Sequence, residues 1–397
     1  MPLFKIHTDK SFYTFDPQKS LLLDKDGNPA VRPETSKGNN GGGLAMLRIQ
    51  LGLKCNYNCV YCKQADQKKK INKKTDLKVL VSKIQKEYST IRTIFFAGGE
   101  PLLYWKEIQT LTLELRKIYP NAKIATISNG SILTKDHLQF CKENNIHFVF
   151  SHDGPGQYLR SGDPLENPDI LKNIQNYLED ETRTAGIFSN GVLTPINNKP
   201  TQIVEHIRNK VGKNIRVSFE GVADLNTETV GKENLLFDNI TGKELTDDIL
   251  RGWVEGKLQN TVFEERIHDF LRRLAHQANS HTQTQKCGQL RDDVVAVDLQ
   301  GNTMICHSST SKENYLGKID GYQKAKPDQF LWSKRETCSN CIVQQLCGGG
   351  CLLSPYGSEE QKTTCKNDFY YHMGIFAATI FEITKDFITK IEIIKES

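Results

Sequence analysis

Between Ala45 and about residue 280, stretches with two different spacings of apolar residues alternate along the chain. Short apolar runs bounded by turn residues indicate strands, and longer segments with an apolar residue every three or four positions indicate helices. The predicted strands are 46–53, 92–97, 122–127, 147–151, 184–189 and 214–219, and the predicted helices are 75–88, 104–118, 134–144, 167–179, 200–210 and 261–278. Six alternating units predict an α/β fold, a partial (β/α)6 TIM-type barrel with a parallel sheet and outer helices. A complete barrel would need two further units.

Further segments flank or interrupt this repeat and set the predicted domain boundaries. Residues 1–44 form an N-terminal strand arm, which could pack across the barrel or offer a strand edge to a peptide. The barrel domain spans 45–280 and includes the polar segment 225–260, interpreted as an insertion that is either a lid or a surface excursion. A cysteine-rich domain follows over 281–370, and helical apolar spacing predicts a C-terminal helix over 371–397.

Composition narrows the functional class. The 397 residues carry a net charge of +5, which argues against nucleic acid as the main partner. No stretch reaches the length of a membrane span, and the N-terminus lacks the apolar core of a signal peptide, so we expect a cytoplasmic protein without a membrane partner. Eleven cysteines in a reducing compartment favour metal or cluster ligation over disulfides. Ten of them fall into two groups, and Cys141 fits a small core side chain.

The first cysteine group lies on a short loop directly after the first predicted barrel strand and consists of Cys55, Cys59 and Cys62. Thiolates at this density hold a metal or an iron–sulfur cluster, or they form disulfides. A four-iron cubane held by three cysteines has one iron that can bind a small molecule. A zinc knuckle would need a fourth ligand nearby, and no Cys or His lies between Lys63 and Tyr104.

Polar segments follow the predicted strands at the edge where parallel sheets bind ligands. Glycine lets the backbone approach a ligand closely, and the Glu100 carboxylate can accept from an ammonium group. Each segment taken alone is also an ordinary turn. The segments are Gly98-Gly99-Glu100-Pro101, Ser128-Asn129-Gly130, Ser151-His152-Asp153-Gly154 and Ser189-Asn190-Gly191.

The cysteine loop, with C-x3-C-x2-C spacing and an aromatic residue before the last cysteine, resembles the signature of the radical SAM enzymes. The resemblance implies a [4Fe–4S] cluster on Cys55, Cys59 and Cys62 whose open iron binds S-adenosylmethionine (SAM). It also implies reductive cleavage of SAM to a 5′-deoxyadenosyl radical, which abstracts a hydrogen atom. Arg160 is a candidate for binding the SAM carboxylate, or else a solvated surface residue. The other SAM contacts that the resemblance implies are Tyr61, Gly98, Gly99, Glu100, Ser128 and Ser151.

The second cysteine group resembles the SPASM domain, which holds two auxiliary [4Fe–4S] clusters and would bring the total to three. Its spacing is C-x13-G-x4-C, then C-x2-C-x5-C-x3-C and one late cysteine. No fourth inner cysteine lies in 288–305, so the inner cluster would have either an open iron or an oxygen ligand such as Asp292 or Asp293. The resemblance assigns the outer cluster to Cys338, Cys341, Cys347 and Cys365, and the inner cluster to Cys287, Cys306 and Cys351.

Radical SAM enzymes with a SPASM domain mostly modify peptides or proteins. The resemblance therefore implies oxidative crosslinking of side chains, by a carbon–carbon, carbon–oxygen or thioether link, in a ribosomally made precursor peptide with a leader sequence. Among these links we favour a carbon–carbon link at an aromatic residue. An external reductant such as flavodoxin or ferredoxin would be a second partner. The alternatives are an anaerobic sulfatase maturase that forms formylglycine, an iron–sulfur electron-transfer protein and a zinc-binding scaffold.

His307 weakens the sulfatase alternative. It follows Cys306 at the position where the sulfatase maturases carry an aspartate that serves as a base. A histidine can also accept a proton, so a catalytic role and a structural role both stay open at this position.

Overall fold

The computed structural model describes residues 2–34, 44–62, 64, 75–220, 236–277, 291, 293–308, 315–319, 335–351 and 356–394. Two predicted cluster ligands, Cys287 and Asp292, lie outside the described residues.

The elements follow one another in the order that the sequence pattern predicts for the barrel. The strands are β1 (Leu3–Thr8), β2 (Phe12–Asp16), β3 (Leu21–Leu23), β4 (Leu44–Gln50), β5 (Ile91–Ala97), β6 (Lys123–Ser128), β7 (Ile146–Ser151), β8 (Ile187–Val192), β9 (Val217–Glu220), β10 (Val294–Asp298), β11 (Asn302–Met304), β12 (Tyr315–Lys318) and β13 (Ile388–Ile394). The helices are α1 (Leu77–Glu87), α2 (Trp105–Ile118), α3 (Lys135–Glu143), α4 (Pro168–Glu179), α5 (Pro200–Val211), α6 (Asn239–Val254), α7 (Val262–Ala275), α8 (Glu336–Ser339), α9 (Gln344–Cys347) and α10 (Glu359–Thr384).

The larger sheet has the described strands in the order β12-β11-β10-β4-β5-β6-β7-β8-β9. Strands β4 to β9 are parallel neighbours in chain order, with helices between them. Side chains alternate along each strand. In β5, Ile94 and Phe96 are fully buried in the core against the outer helices, whereas Phe95 is half-buried on the inner face. This arrangement confirms the predicted partial (β/α)6 barrel.

Helix ends follow signals in the sequence. Thr134 caps α3 by accepting from the His137 N–H, and Asn167 caps α4 with Pro168 in the first helical position. Gly212 ends α5 in the left-handed conformation that glycine adopts without strain. Within the ranges that the structure describes, none of the helices combines the length and apolarity needed to cross a bilayer.

The hairpin at the start of the cysteine-rich region extends the barrel sheet. β10 lies parallel to β4, with Val294 opposite Met46, and every residue of β10 is buried. β11 and β12 follow as antiparallel neighbours. The chain that carries Cys306 is therefore fixed to the barrel by β-sheet hydrogen bonds.

The C-terminal segment departs from the predicted helix over 371–397. Helix α10 begins at Glu359, inside the predicted cysteine-rich domain, and ends at Thr384, where Lys385 has a positive φ of 57°. β13 follows and pairs antiparallel with β1 in a second sheet of order β13-β1-β2-β3. The isoleucine-rich end has strand propensity, but its partner strand lies at the other end of the chain, so the local pattern did not reveal the pairing.

The N-terminal arm packs against α7 and α10. Phe15 of β2 is buried, and its ring centroid lies 6.2 Å from that of Phe270 and 5.4 Å from that of Phe376. Ser20 Oγ also donates to Gln345 Oε1 at 3.0 Å. Two roles were considered for the arm, packing across the barrel and offering a strand edge to a peptide. The structure shows packing, and the elements that the arm covers are helices α7 and α10.

The segment 225–260 is not a polar excursion throughout. Its described part contains α6, whose residues Leu245 and Ile249 are fully buried in the main core. Gly242 lies against the ring of Tyr370 in α10. Interpreting 239–254 as a lid or a surface excursion was therefore wrong, because this helix fills the space between α5 and α10.

Replacing Phe15 with alanine should lower the free energy of unfolding by about 3–5 kcal/mol, because the cavity would lie between two aromatic rings that cannot close it. Anaerobic urea unfolding followed by tryptophan fluorescence measures the change. The control is Leu113→Ala on the exposed face of α2, where Leu113 is 48% exposed, and we expect a change within about 0.5 kcal/mol. Equal losses in the two variants would contradict the packing role of the arm.

Candidate functional site

The cysteine loop begins where β4 ends, at the edge of the partial barrel formed by the carboxyl ends of its strands. Cys59 is buried, and the Cys62 N–H donates to the Cys59 carbonyl at 3.1 Å, so these two residues share one tight turn. Cys55 lies just before them, and its Sγ accepts from the Tyr57 N–H at 3.4 Å. The three predicted cluster ligands therefore lie together on one folded loop.

Neighbouring loops hold the cysteine loop in place. Asn56 Nδ2 donates to Ser131 Oγ at 2.8 Å, which ties the loop to the segment after β6. The Val60 N–H donates to the Leu159 carbonyl at 3.0 Å, which ties it to the segment after β7. The position of the thiols thus depends on the same strand ends that were predicted to bind the cofactor.

Gly98 and Gly99 lie where two backbone segments run side by side. The Gly99 N–H donates to the Gly52 carbonyl at 2.8 Å. A Cβ at Gly98 would overlap the Gly52 carbonyl oxygen, and a Cβ at Gly99 would overlap those of Leu53 and Lys54. Glycine is required here by the approach of the cysteine loop itself. Their predicted SAM contact stays a prediction.

Glu100 is almost fully buried and receives three hydrogen bonds. Its Oε1 accepts from Ser128 Oγ at 2.7 Å and from the Leu102 N–H at 2.9 Å, and its Oε2 accepts from the Asn129 N–H at 2.7 Å. Burial raises the pKa of Glu100 above its ordinary value, and the three donors partly offset that rise. In the structure the Ser128 hydroxyl orients Glu100, and its own SAM contact stays a prediction.

A second buried group, the Asp153 network, consists of Asp153, Tyr61 and Arg160. Tyr61 Oη donates to Asp153 Oδ2, and Arg160 Nη1 donates to Tyr61 Oη at 3.0 Å and lies 3.5 Å from Asp153 Oδ1. Asp153 is fully buried, and its Oδ1 also accepts from the Val192 N–H at 2.9 Å. Burial raises the pKa of Tyr61 well above its ordinary value, so its hydroxyl stays protonated and donates.

Arg160 is a buried residue, so its alternative interpretation as a solvated surface residue was wrong. The side chain of Arg160 is 10% exposed, and its Nε is buried without a hydrogen-bond partner in the described part of the chain. Ser151, another predicted contact, ends β7 opposite Asn190 of β8 and is buried. The SAM contacts of Arg160, Tyr61 and Ser151 remain predictions.

His152, Asp163 and His206 place three potential metal-ligand atoms within 4.8 Å of one another. His152 Nδ1 accepts from the Gly154 N–H at 3.0 Å, so the ring proton lies on Nε2, which donates to Asp163 Oδ1 at 2.9 Å. A neutral imidazole binds a metal through an unprotonated nitrogen while its other nitrogen keeps the proton. This arrangement therefore fits a structural hydrogen bond that fixes the loop after β7.

The chain after β11 crosses the inner face of the barrel. The His307 carbonyl accepts from Gln50 Nε2 at 2.6 Å, and His307 Nδ1 lies 3.3 Å from Arg48 Nη1. The His307 ring also meets Phe95 edge to face, with centroids 6.0 Å apart. Because arginine can only donate, His307 Nδ1 is the acceptor. Cys306 thus lies beside the inner face of β4.

Five cysteines line one cavity between α8, α9 and the start of α10. Burial raises the pKa of Cys341 to about 11, so its thiolate needs a nearby cation or metal. Burial also raises the pKa of Cys338, and the positive charge of the buried Arg335 opposes that rise. The lining cysteines are Cys338, Cys341, Cys347, Cys351 and Cys365.

The cavity has two consequences for the predicted ligand sets. It brings the four predicted outer ligands together, and it also includes Cys351, which was predicted to hold the inner cluster. Asp293, a predicted alternative inner ligand, pairs with Arg291 and Arg92. Both assignments stay predictions, because Cys287 is outside the described residues.

Sequence reasoning did not single out Gln157 or Arg335. Gln157 is buried, accepts from the Asp153 N–H at 2.9 Å and donates to the Gly162 carbonyl at 2.7 Å. Arg335 is buried beside the cysteine cavity, and its Nη1 donates to the Gly349 carbonyl at 2.7 Å. A lone glutamine or arginine in a loop gives no local signal of burial.

Residues 49–161 match the sequence profile of the radical SAM superfamily. This range runs from β4 through the cysteine loop and the glycine segment to the Asp153 network. The chain contains a radical SAM domain. Such a domain implies SAM and one [4Fe–4S] cluster as cofactors.

Similar proteins are known that cover most of this chain. It is 24% identical over 354 aligned residues to the radical SAM cyclopropyl synthase TigE of Paramaledivibacter caminithermalis, covering 79% of this chain and 68% of that one. The structure of native anSMEcpe with bound AdoMet superposes with a TM-score of 0.63 at 19% identity, over 86% of this chain and 98% of that chain. Streptococcus suis SuiB bound to precursor peptide SuiA gives a TM-score of 0.52 at 14% identity, over 78% and 72%. These structures share the fold.

The described residues of this radical SAM site fit both implied cofactors. Three thiols on one loop suit a cluster with an open iron. The buried Arg160 Nε lacks a partner in the described part of the chain, and a carboxylate group of SAM would satisfy it.

Changing Gly99 to alanine should displace the cysteine loop, because its Cβ would meet two backbone oxygens that cannot rotate away. We expect a loss of about 1–3 kcal/mol in unfolding free energy and lower iron content after anaerobic reconstitution. Gly162→Ala is the matched control, since its Cβ would meet only Tyr57 Oη at an ordinary 3.6 Å. Full iron loading in both variants would show that the close approach does not position the thiols.

Changing Asp153 to asparagine should cost about 3–5 kcal/mol, because it leaves the charge of Arg160 buried without its counter-charge. Tyr61→Phe removes only one hydroxyl from the same network and should cost less. Calorimetric titration with SAM should show weaker binding in D153N than in Y61F. Similar stability and similar SAM affinity in the two variants would rule out the charge pairing as the organising contact.

Proposed function

We propose that this radical SAM enzyme matures a ribosomally made precursor peptide by an oxidative crosslink between side chains. The observation that carries the proposal is the position of the radical SAM site at the mouth of the partial barrel. The inner face of that barrel has half-buried apolar residues, which include Phe95, Ile127 and Val149. Such a surface suits an extended chain with apolar side chains.

The residues of the site would divide the work of binding the cofactors. When bound, SAM and the cluster supply hydrogen-atom abstraction from an unactivated C–H bond. Cys55, Cys59 and Cys62 would hold the cluster. Glu100 would accept from the SAM ammonium group, and Arg160, held by Asp153, would donate to the SAM carboxylate.

The SPASM-like cysteines would hold two auxiliary [4Fe–4S] clusters, with three clusters in all. Formation of a crosslink removes two hydrogens, and the auxiliary clusters would supply an acceptor for the electron left after hydrogen abstraction and proton loss. The cavity lined by five cysteines supports the presence of at least one such cluster. An external reductant such as flavodoxin or ferredoxin would serve the first cluster.

A peptide substrate accords with the proteins that resemble this one. SuiB is described bound to its precursor peptide SuiA, and anSMEcpe is described with bound peptides. TigE is described as a cyclopropyl synthase, and closing a cyclopropane ring forms a carbon–carbon bond. We therefore propose a carbon–carbon bond as the product, with an aromatic residue as our first choice of site.

The test begins with a search for a short open reading frame beside the gene for this chain, and the peptide that it encodes is the substrate to assay. The reconstituted enzyme, SAM and dithionite should convert it to a product lighter by two hydrogens, with 5′-deoxyadenosine released. The Cys55→Ala variant should release none, because the cluster would lose a ligand. Mass spectrometry with fragmentation locates the change. An unchanged peptide mass alongside SAM cleavage would contradict the proposed chemistry.

A further measurement distinguishes the proposed crosslink from formylglycine, the product of a sulfatase maturase. Oxidation of a serine to formylglycine also removes two hydrogens, so mass alone does not distinguish it from a crosslink. A hydrazide probe reacts with an aldehyde and does not react with a carbon–carbon link. Labelling of the product would therefore favour the sulfatase-maturase alternative.

A further inference from the structure

Arg48 lies on the inner face of β4 in the partial barrel, on the strand that leads into the cysteine loop. It is half-buried, and it lies opposite Phe95 in the β4–β5 register. Its neighbours Leu47 and Ile49 are fully buried on the other face, against the outer helices. A charge on the inner wall of a barrel loses part of its hydration and needs a partner.

The partners of Arg48 are both neutral. Its Nε lies 3.1 Å from the Met46 sulfur, and its Nη1 lies 3.3 Å from His307 Nδ1. A thioether is a weak acceptor, and a guanidinium has five N–H donors. Within the described ranges no carboxylate forms an ion pair with Arg48, in contrast to Arg92 on the adjacent strand, which pairs with Asp293 at 3.2 Å.

The surroundings of Arg48 are mostly apolar. Phe95 is its neighbour across the ladder, and Ile127 and Val149 pair with each other further along the inner face. A cation in such a surface favours anionic ligands over neutral ones, because an anion that reaches it gains a charge-assisted hydrogen bond in a partly dehydrated site.

We propose that Arg48 binds a carboxylate of the peptide substrate, an aspartate or glutamate side chain close to the residue that is modified. This inference rests on the proposed peptide-maturation function and adds a specificity rule to it. The planar fork of the guanidinium matches both oxygens of a carboxylate, and the apolar wall accepts the neighbouring side chains of the peptide. Arg48 is thus a substrate-binding residue on the wall of the barrel.

The experiment measures peptide binding and turnover separately. The probe is a fluorescently labelled peptide encoded by a short open reading frame beside the gene for this chain, titrated anaerobically with the reconstituted enzyme and SAM before reduction. Arg48→Gln should raise the Kd and the KM about 10- to 100-fold, as expected for losing a hydrogen bond to a charged group. The kcat and the peptide-independent cleavage of SAM should change little. Arg48→Lys should be intermediate, because it keeps the charge but not the fork.

Peptide variants identify the carboxylate. Each Asp or Glu is changed singly to Asn or Gln, and the C-terminus is amidated in a separate peptide. One side-chain substitution should weaken binding to the unaltered enzyme by the same factor as R48Q and have no further effect in R48Q. An effect of C-terminal amidation alone would overturn the side-chain assignment. A Lys at the identified position should bind better to Arg48→Glu than to the unaltered enzyme.

The control is Arg92→Gln, which removes an arginine that connects β5 to the segment before β10. If R92Q weakens peptide binding as much as R48Q, the effect comes from loosening the hairpin, and the proposal is wrong. Equal peptide affinity in R48Q and the unaltered enzyme would also overturn it. Binding that depends on Arg48 without any change in peptide mass would support the carboxylate site and contradict the crosslinking chemistry. Absence of peptide binding would contradict both.

Discussion

The parallel pairing of the backbone after β4 with the backbone after β5 is the contact on which the radical SAM site depends. It continues the hydrogen-bond ladder, because the Leu51 N–H donates to the Ala97 carbonyl and the Gly99 N–H donates to the Gly52 carbonyl. The separation between two hydrogen-bonded backbones is fixed, so side chains are excluded at Gly98 and Gly99. Cys55 begins directly beyond this contact. The thiols are therefore positioned by main-chain geometry, which side-chain motion cannot loosen.

Two buried carboxylates then complete the site in different ways. Glu100 is held by neutral donors from the end of β6, at Ser128 and Asn129, and from Leu102 after β5, so burial dominates and raises its pKa. Asp153 instead faces the guanidinium of Arg160 and the hydroxyl of Tyr61, so it joins the cysteine loop to the segments after β7 and β8. A displacement of either loop would leave a charged group buried and unpaired, which is costly. This cost keeps the loops together before any cofactor binds.

Local patterns predicted the barrel well because its information is local. The six strands and their helices follow apolar spacing, and Thr134 and Asn167 mark helix starts within a few residues of the chain. The cysteine loop was equally clear, since its three thiols are close in sequence. What the pattern missed depends on distant partners. β13 pairs with β1 at the opposite end of the chain, and α6 is buried only because α10 covers it.

The burial of single polar residues was harder still to predict. Arg160 was a candidate SAM contact, but nothing in the sequence indicated its burial, and only the fold shows that it lies against Tyr61 and Asp153. Gln157 and Arg335 give no signal at all, because their partners are mostly backbone groups that any sequence provides.

Strand β4 also explains how the two cysteine groups are placed relative to each other. The carboxyl end of β4 continues into the cysteine loop. The edge of β4 that faces away from β5 pairs with β10 through five residue pairs. The chain returns from β11 over Gln50 and Arg48, so Cys306 is placed by the same strand that places Cys55. A flexible linker would let the separation of these thiols vary. A shared sheet keeps it nearly constant, which the proposed electron transfer between two clusters would need. The pairing of β10 with β4 therefore fixes the SPASM-like segment to the barrel.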